Sequence, residues 1–279
     1  MSPGAGLIVI PFVDLPGETG DALHDALLQL EGQCDVLLID QGSTAKMSHG
    51  WPTVQAWAES CALGSPHIRL WRHAPPLPSL AATWNVALDF AWNIGHEDCM
   101  IWNNDIRVHP DMYRRLRAIA ELSGLWFVTP VNCSGDIEER WKLPLPALNG
   151  ENLAANFGGP DFSCFLIHRE AHQRYRFDER FQPAYHEDGD FHRRMWLGGD
   201  GNRIAGVTLP YLHYGSRTIH RSEEAYAAFQ PQFAACRARY VAKWGGEPHH
   251  ERKITPDSNE DLDGVGTPGG YLDMEVPHA

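Results

Sequence analysis

The sequence has few of the features that tie a protein to a membrane, a nucleic acid or an oxidising compartment. No apolar run reaches the roughly 18 residues of a membrane span, so no transmembrane segment is predicted. Cations are scarce: 23 Lys and Arg stand against 36 acidic residues, and the net charge of −13 disfavours non-specific binding to nucleic acid or anionic membranes. The six cysteines form no C-x-x-C pair, which is typical of reduced thiols, and we predict a cytoplasmic protein.

The amino terminus also lacks the cationic segment of a secretory signal. The apolar run over 6–13 is short, and Asp14 follows it directly. This run therefore indicates a buried strand rather than a signal peptide.

The composition is that of a folded chain. Hydrophobic residues make up 43% of the 279 residues, and ten of them are Trp, which supports a substantial core. Strand-like and helix-like segments alternate through the first half, and this order predicts parallel β-α-β units with helices on both faces of a sheet. Strands are predicted over 7–13, 35–40, 67–71, 98–102, 125–131, 162–168 and 203–209. Helices are predicted over 19–30, 51–61, 79–93, 111–122 and 222–244.

Two acidic segments follow predicted strands. Asp40 ends the strand DVLLID, and Asn103, Asn104 and Asp105 follow the strand that ends at Trp102. Ligands of open α/β sheets bind beyond the carboxyl ends of the strands, so both segments are expected on one rim. A carboxylate with amide oxygens beside it suits Mg²⁺ or Mn²⁺, although Asn and Asp also favour ordinary turns. Asp40 has two interpretations, a contact to a base or ribose and a cap on the following segment.

The stretch YHEDGD over 185–190 concentrates three carboxylates. An acidic first turn of a helix explains why the repulsion is tolerated, since each carboxylate gains about 0.3–1 kcal/mol from the helix dipole. The alternative is that one carboxylate is a general base for a hydroxyl nucleophile.

His213 also follows a predicted strand. A lone His is usually structural, but a strand end with Gly215 and Arg217 nearby is consistent with a metal ligand or a diphosphate contact.

The order of these segments resembles family-2 glycosyltransferases of the GT-A fold. The resemblance covers roughly residues 6–220 and is carried by six segments. They are GLIVIPFVD, DVLLIDQGST, SLAATWNVALDFAW, DCMIWNNDIRVHPDMYRRL, CFLIHREAHQRYRFDERFQPAYHEDGDFHRRMWLGG and LHYGSRT. The tail stretch RYVAKWGGEP is similar to one in phage and bacterial members.

The resemblance implies a mixed, mainly parallel α/β sheet of the GT-A (Rossmann-like) type. It implies a catalytic domain over 1–220, with a nucleotide-binding half over about 1–106 and an acceptor half over about 107–220. A helical segment over 221–245 follows, and we expect Pro231 to break or kink it. The tail over 246–279 is rich in Gly, Pro, Asp and Glu and is predicted to be extended or disordered.

The resemblance also implies a reaction: transfer from a UDP-, GDP- or dTDP-linked sugar to an acceptor hydroxyl, with inversion and with Mn²⁺ or Mg²⁺ as cofactor. Asp105 matches the last acid of the metal-binding D-x-D, here N-N-D, and His213 matches a late metal or diphosphate ligand. In the Glu187-Asp188 pair, Asp188 matches the catalytic base and Glu187 orients the acceptor or its loop. Asp40 matches the acid that contacts the base.

Further donor contacts are expected at six positions, several of which have a simpler alternative. Asn85 is also consistent with a satisfied buried amide, and Gly158-Gly159 with a simple turn. The six positions are Asn85, Asn103, Asn104, Gly158, Gly159 and Arg217.

The acceptor stays open in the sequence: a glycan, a lipid-linked sugar, a protein or a hydroxymethylated DNA base is conceivable. Two rivals keep the fold, a nucleotidyltransferase and an inactive sugar-binding protein. The nucleotidyltransferase needs a basic Gly-rich N-terminal loop, whereas residues 10–20 hold no Lys or Arg.

Overall fold

A mixed sheet of eight strands forms the centre of the molecule in a computed structural model of the chain. The structure describes residues 6–14, 23–24, 27, 30, 34–43, 53–73, 75–133, 137, 141, 161–215 and 223–253. The strands are β1 (Gly6–Phe12), β2 (Cys34–Asp40), β3 (Ile68–Arg72), β4 (Asp98–Trp102), β5 (Ile106–Arg107), β6 (Phe127–Asn132), β7 (Cys164–His168) and β8 (Ile204–His213).

The strand order is β3-β2-β1-β4-β7-β6-β8-β5. Strands β3, β2, β1 and β4 are mutually parallel, and β6 is parallel to β8. Strand β7 runs antiparallel to both β4 and β6, and β5 is antiparallel to β8. Because β7 is reversed, its amino-terminal end lies on the same rim as the carboxyl ends of β1, β2, β4 and β8.

Six helices flank this sheet in the described ranges. They are α1 (Val54–Gly64), α2 (Leu80–Asn93), α3 (Met112–Ser123), α4 (Arg169–Tyr175), α5 (Glu187–Met195) and α6 (Glu223–Trp244). Alternate residues of β1 point to opposite faces, as a pleated strand requires. Ile8 packs in a core cluster with Leu116 of α3, whereas Val9 packs in a second cluster with Trp84 of α2 and Phe191 of α5. The sheet is therefore covered on both faces.

Helix α2 begins where its sequence predicts. The Ser79 hydroxyl accepts a hydrogen bond from the Ala82 amide at 3.0 Å, as an N-cap does. Trp84, Leu88 and Ala91 are buried at helical spacing.

Most predicted elements of the first half are confirmed to within about three residues, a usual error for element ends. A break of α6 at Pro231 is wrong: the helix is continuous from Glu223 to Trp244. Pro231 and Ala227 are exposed, so water can solvate the carbonyl that loses its amide partner. Helix α4 and strand β5 were not predicted, and β8 extends four residues beyond its predicted end.

Two predicted regions lie largely outside the described residues. Of the helix predicted over 19–30, only Leu23, His24, Leu27 and Leu30 are described, and the three leucines are buried. Of the tail, 246–253 is described: the Arg252 and Lys253 amides both bond the Trp244 carbonyl, so this part folds back on α6. No disulfide joins the six cysteines, all of which are described. Among the described helices, none is both long and apolar enough to span a bilayer.

The C-terminal helix is tied to α5 through a fully buried carboxylate. Asp190 accepts hydrogen bonds from Trp244 Nε1 at 2.9 Å and Arg194 Nε at 2.8 Å, and Lys243 Nζ lies 2.6 Å from its Oδ1. Lys243 also binds Asp178 at 2.7 Å. A buried charge of this kind is tolerated only because it is paired.

We predict that Lys243→Met lowers the free energy of unfolding by up to about 3–5 kcal/mol, because it removes one of the two cations that pair with the fully buried Asp190 and with Asp178. Urea denaturation measures this loss. Arg237→Met is the control on the same helix. It removes the exposed ion pair between Arg237 and Glu247 and should change the denaturation midpoint far less. Equal effects of the two variants would contradict the assignment of Asp190 as the anchor.

Candidate active site

A cleft of about 520 Å³ opens at the rim where β1, β4 and β8 end and β7 begins. Aromatic and aliphatic side chains, among them Phe12, Leu77, Trp84 and Phe162, form much of its wall. Polar side chains converge on it from separate elements. They are Gln41, Asn103, Asn104, Asp105, Asp161, Ser163, Glu187, Asp188 and His213. An apolar pocket with a few convergent polar groups is the usual form of a small-molecule site.

Asp105, which is buried, and His213, which is half-buried, form a pair at one side of the cleft. His213 Nε2 lies 3.2 Å from Asp105 Oδ1. The backbone fixes both residues, since the Tyr214 amide donates to the Asp105 carbonyl at 2.9 Å and the His213 amide donates to Asn132 Oδ1 at 3.0 Å. The short ladder between β5 and β8 thus holds the N-N-D turn against the end of β8.

Two residues that the sequence did not single out complete this side. Ser163 Oγ lies 3.1 Å from His213 Nδ1, and the Ser163 carbonyl accepts from the Asn103 amide at 2.8 Å. Asp161 accepts from the Ser163 amide at 2.9 Å and from the hydroxyl of Tyr211. They reach the rim because β7 is reversed, and sequence periodicity does not encode the direction of a strand.

The charge around His213 favours its protonated form. Burial lowers the pKa of His213, but its hydrogen bond to Asp105 and the negative charges of Asp105 and Asp161 outweigh burial, so the pKa is raised. The imidazole of His213 therefore lies in negatively charged surroundings.

Glu187 and Asp188 stand at the amino-terminal end of α5. His186, the cap residue, has φ of 72° and makes no side-chain capping bond, so the helix dipole and the Gly189 amide support the acids. The Gly189 amide donates to Asp188 Oδ1 at 2.7 Å. Burial raises the pKa of Asp188 and the charge of Asp161 adds to this, which outweighs the Gly189 bond. Burial, with the charge of Asp188, raises the pKa of Glu187 well above its usual range.

The three acids of YHEDGD therefore have different surroundings. Glu187 and Asp188 line the cleft, whereas Asp190 binds Trp244 and Lys243 of α6. A single acidic first turn therefore contributes two carboxylates to the cleft and one to the contact with α6.

Asp40 is fully buried at the end of β2. Its Oδ1 accepts from the Ser43 amide at 2.7 Å, and Arg72 Nε lies 3.6 Å from its Oδ2. This is the capping interaction that the sequence allowed as an alternative to a base contact. The next residue, Gln41, lines the cleft and accepts from the Leu77 amide at 2.9 Å.

Asn85 lies below the cleft rather than in its wall. Its amide donates to the Phe177 carbonyl and to Glu179, and its oxygen is within hydrogen-bond distance of the Phe177 amide and His172 Nε2. These four contacts use the whole hydrogen-bonding capacity of the side chain. Gly158, Gly159 and Arg217 lie outside the described residues.

Four polar atoms of cleft residues are buried without a hydrogen-bond partner in the described part of the chain. They are Gln41 Nε2, Trp84 Nε1, Asn104 Nδ2 and Glu187 Oε2. Buried polar atoms are nearly always paired, so such atoms around one cleft indicate groups that a polar ligand would satisfy.

Asp105 and His213 fit part of a divalent cation site. Two ligands at about 2.1 Å from an octahedral ion lie about 3 Å apart, close to their separation of 3.2 Å. No group of three or more His, Cys, Asp or Glu with metal-site geometry occurs within the described ranges. The pair therefore suits an ion whose other positions are filled by substrate phosphate and water.

The fold is that of GT-A glycosyltransferase structures. Glucosyl-3-phosphoglycerate synthase from Mycobacterium tuberculosis in complex with UDP is 17% identical, with a TM-score of 0.52 over 84% of this chain and 79% of that chain. The same synthase with Mn²⁺, UDP-glucose and phosphoglyceric acid gives 17% identity and a TM-score of 0.51 over 84% and 78%. Residues 1–349 of S. aureus TarS with UDP give 11% identity and a TM-score of 0.50 over 83% and 65%.

No protein-family model and no curated protein sequence matches the chain. The predicted fold class is thus confirmed by structural likeness alone.

We predict that Glu187→Gln gains stability relative to the parent protein as pH rises above about 4.5. An acid with a raised pKa in the folded state binds its proton more tightly there than in the unfolded chain. Its stabilising contribution is therefore complete at low pH and is lost as pH rises through its unfolded pKa toward its folded one. Urea denaturation from pH 4 to 8 measures the difference, and Glu170→Gln, at an exposed position of α4, is the control. A difference that does not vary with pH would show that Glu187 keeps an ordinary pKa.

Proposed function

We propose that the protein is an inverting glycosyltransferase that moves a sugar from a nucleotide-diphosphate sugar to an acceptor hydroxyl, with Asp188 as general base. One observation carries the proposal: Asp188 and the Asp105–His213 pair line one cleft at the rim of a GT-A sheet. The enzymatic character is supported by the structural neighbours, which include a synthase solved with UDP-glucose. Membership of family 2 and a phage or bacterial origin stay predictions from the sequence.

Asp188 has the chemistry that direct displacement requires. A carboxylate within hydrogen-bond reach of the acceptor hydroxyl takes its proton as the oxygen attacks the anomeric carbon, and attack opposite the leaving diphosphate inverts that carbon. The raised pKa of Asp188 makes it a stronger base. Glu187, beside it, orients the acceptor or the loop before α5.

Asp105 and His213 are the proposed ligands of Mn²⁺ or Mg²⁺. When bound there, the ion acts as a Lewis acid that neutralises the leaving diphosphate. Asn103, Asn104 and Arg217 are proposed donor contacts near the diphosphate, and Gly158-Gly159 a close backbone approach to the donor sugar. Asp40, with Gln41 at the cleft, is proposed to contact the base of the nucleotide. UDP is the favoured nucleotide because two of the structural neighbours are complexes with UDP.

A donor panel provides the first test. UDP-, GDP- and dTDP-linked sugars, each with and without Mn²⁺, are compared by thermal shift, since a ligand that binds the folded state raises the unfolding midpoint. We expect a UDP-sugar with Mn²⁺ to give the largest shift. No shift with any donor would contradict the proposed function.

We expect Asp188→Asn to slow turnover of that donor by about 10²–10⁴-fold, because the amide cannot accept the proton. Release of UDP with Mn²⁺ present is the assay, and the thermal shift by donor should persist. Glu170→Gln, an exposed carboxylate outside the cleft, is the control. Unchanged turnover in Asp188→Asn would exclude this residue as the base.

We expect Asp105→Asn to weaken Mn²⁺ binding in the presence of UDP by about tenfold or more, since it removes one of two protein ligands. Electron paramagnetic resonance of free Mn²⁺ measures the affinity without relying on activity. Asp89→Asn, whose carboxylate pairs with Arg176 outside the cleft, should leave the affinity unchanged. Equal affinities of Asp105→Asn and the parent protein would place the metal elsewhere.

A further inference from the structure

The C-terminal helix contributes an aromatic side chain to the cleft. Phe229 of α6 and Tyr185 both line it, with ring centroids 5.3 Å apart and planes tilted by 56°. Phe233, one turn further along α6, supports both rings, at 5.3 Å from Tyr185 and 6.3 Å from Phe229. Tyr185 and Phe229 are half-buried. We call these two residues the aromatic wall.

The backbone at the wall is held in an unfavourable conformation. Tyr185 has φ of 82°, in the left-handed region that bulky residues rarely adopt, and His186 follows it with φ of 72°. Such residues cost about 1–3 kcal/mol each, and they cluster at ligand clamps and active sites. The rings of Phe233 and Tyr240, 5.5 and 5.4 Å from the His186 ring, hold this turn against α6.

The position of the wall assigns it to the acceptor side. Tyr185 precedes the proposed base Asp188 by three residues, whereas the proposed metal pair reaches the cleft from β5 and β8. A group resting on the wall therefore stands beside the carboxylate that takes the acceptor proton. Phe229 belongs to α6 and Tyr185 to the turn before α5, and neither element carries the proposed donor contacts.

The charge near the wall restricts the acceptor. Asp161 and Asp188 line the same cleft, and a phosphorylated or carboxylated acceptor brought beside their carboxylates is repelled. An aromatic wall beside carboxylates suits a neutral pyranose: its C–H face packs on the rings, and its hydroxyls bond the acids.

We propose that Tyr185 and Phe229 form the acceptor subsite and bind the apolar face of a neutral pyranoside. This inference rests on the proposed transferase function and names its acceptor class. The negative cleft disfavours the phosphate backbone of a nucleic acid acceptor, so a glycan is the occupant.

The test measures binding of methyl β-D-glucopyranoside by saturation-transfer NMR, with and without UDP and Mn²⁺. We expect saturable binding to the full-length protein, weakened about fivefold or more by Phe229→Ala. Phe229→Leu keeps an apolar side chain without an aromatic face and should weaken binding similarly, whereas Phe229→Trp should restore it. Tyr226→Ala, on the same helix and 42% exposed, is the matched control and should change the affinity by less than about twofold.

The outcomes separate the two proposals. If UDP and Mn²⁺ bind normally but the pyranoside does not bind, or binds equally to Phe229→Ala, the acceptor subsite is wrong and the transferase proposal stands. If the pyranoside binds through Phe229 but no nucleotide sugar shifts the unfolding midpoint, the transferase proposal fails and the protein binds sugars. A DNA duplex with hydroxymethylated cytosines is the competitor. If it displaces the pyranoside and its own binding requires Phe229, the acceptor is a nucleobase and the glycan proposal is wrong.

Discussion

The candidate site depends on one buried charge. The carboxylate of Asp190 is surrounded by Lys243, Trp244 and Arg194, and it fixes α6 against α5. That contact sets the start of α5, where Glu187 and Asp188 enter the cleft, and it brings Phe229 to the cleft edge. Without α6, Asp190 would keep only Arg194 as a charged partner and would lose its bonds to Lys243 and Trp244. The acid that performs no chemistry therefore positions the two that are proposed to perform it.

The cleft combines strong negative charge with apolar walls. In such surroundings burial raises the pKa of Asp188, and the charge of Asp161 adds to this. A nucleotide diphosphate that enters this cleft needs compensating positive charge, and the proposed metal ion at Asp105 and His213 would supply it. The fold separates the two groups, since the proposed metal ligands lie between β4 and β5 and at the end of β8, whereas the proposed base lies on α5.

The sequence predicted those parts of the fold that local patterns encode. The cap at Ser79 and the strand Asp98–Trp102 were predicted because a hydroxyl before a helical pattern and a short apolar run are local signals. Asp161 and Ser163 were missed because their place depends on the reversed direction of β7, which is a long-range property. Asn85 was identified but its role stayed ambiguous, because the three residues that it bonds lie about ninety residues away along the chain. The break predicted at Pro231 was wrong because the effect of a proline depends on its solvent exposure, which a helix propensity does not include.

Diffraction at the manganese edge from crystals grown with UDP and Mn²⁺ tests the central claim most directly. The account predicts an anomalous peak within about 2.3 Å of both Asp105 and His213, with the diphosphate completing the coordination and the Asp188 carboxylate facing the sugar end of the nucleotide. A peak away from both residues, or UDP bound outside this cleft, would contradict the account.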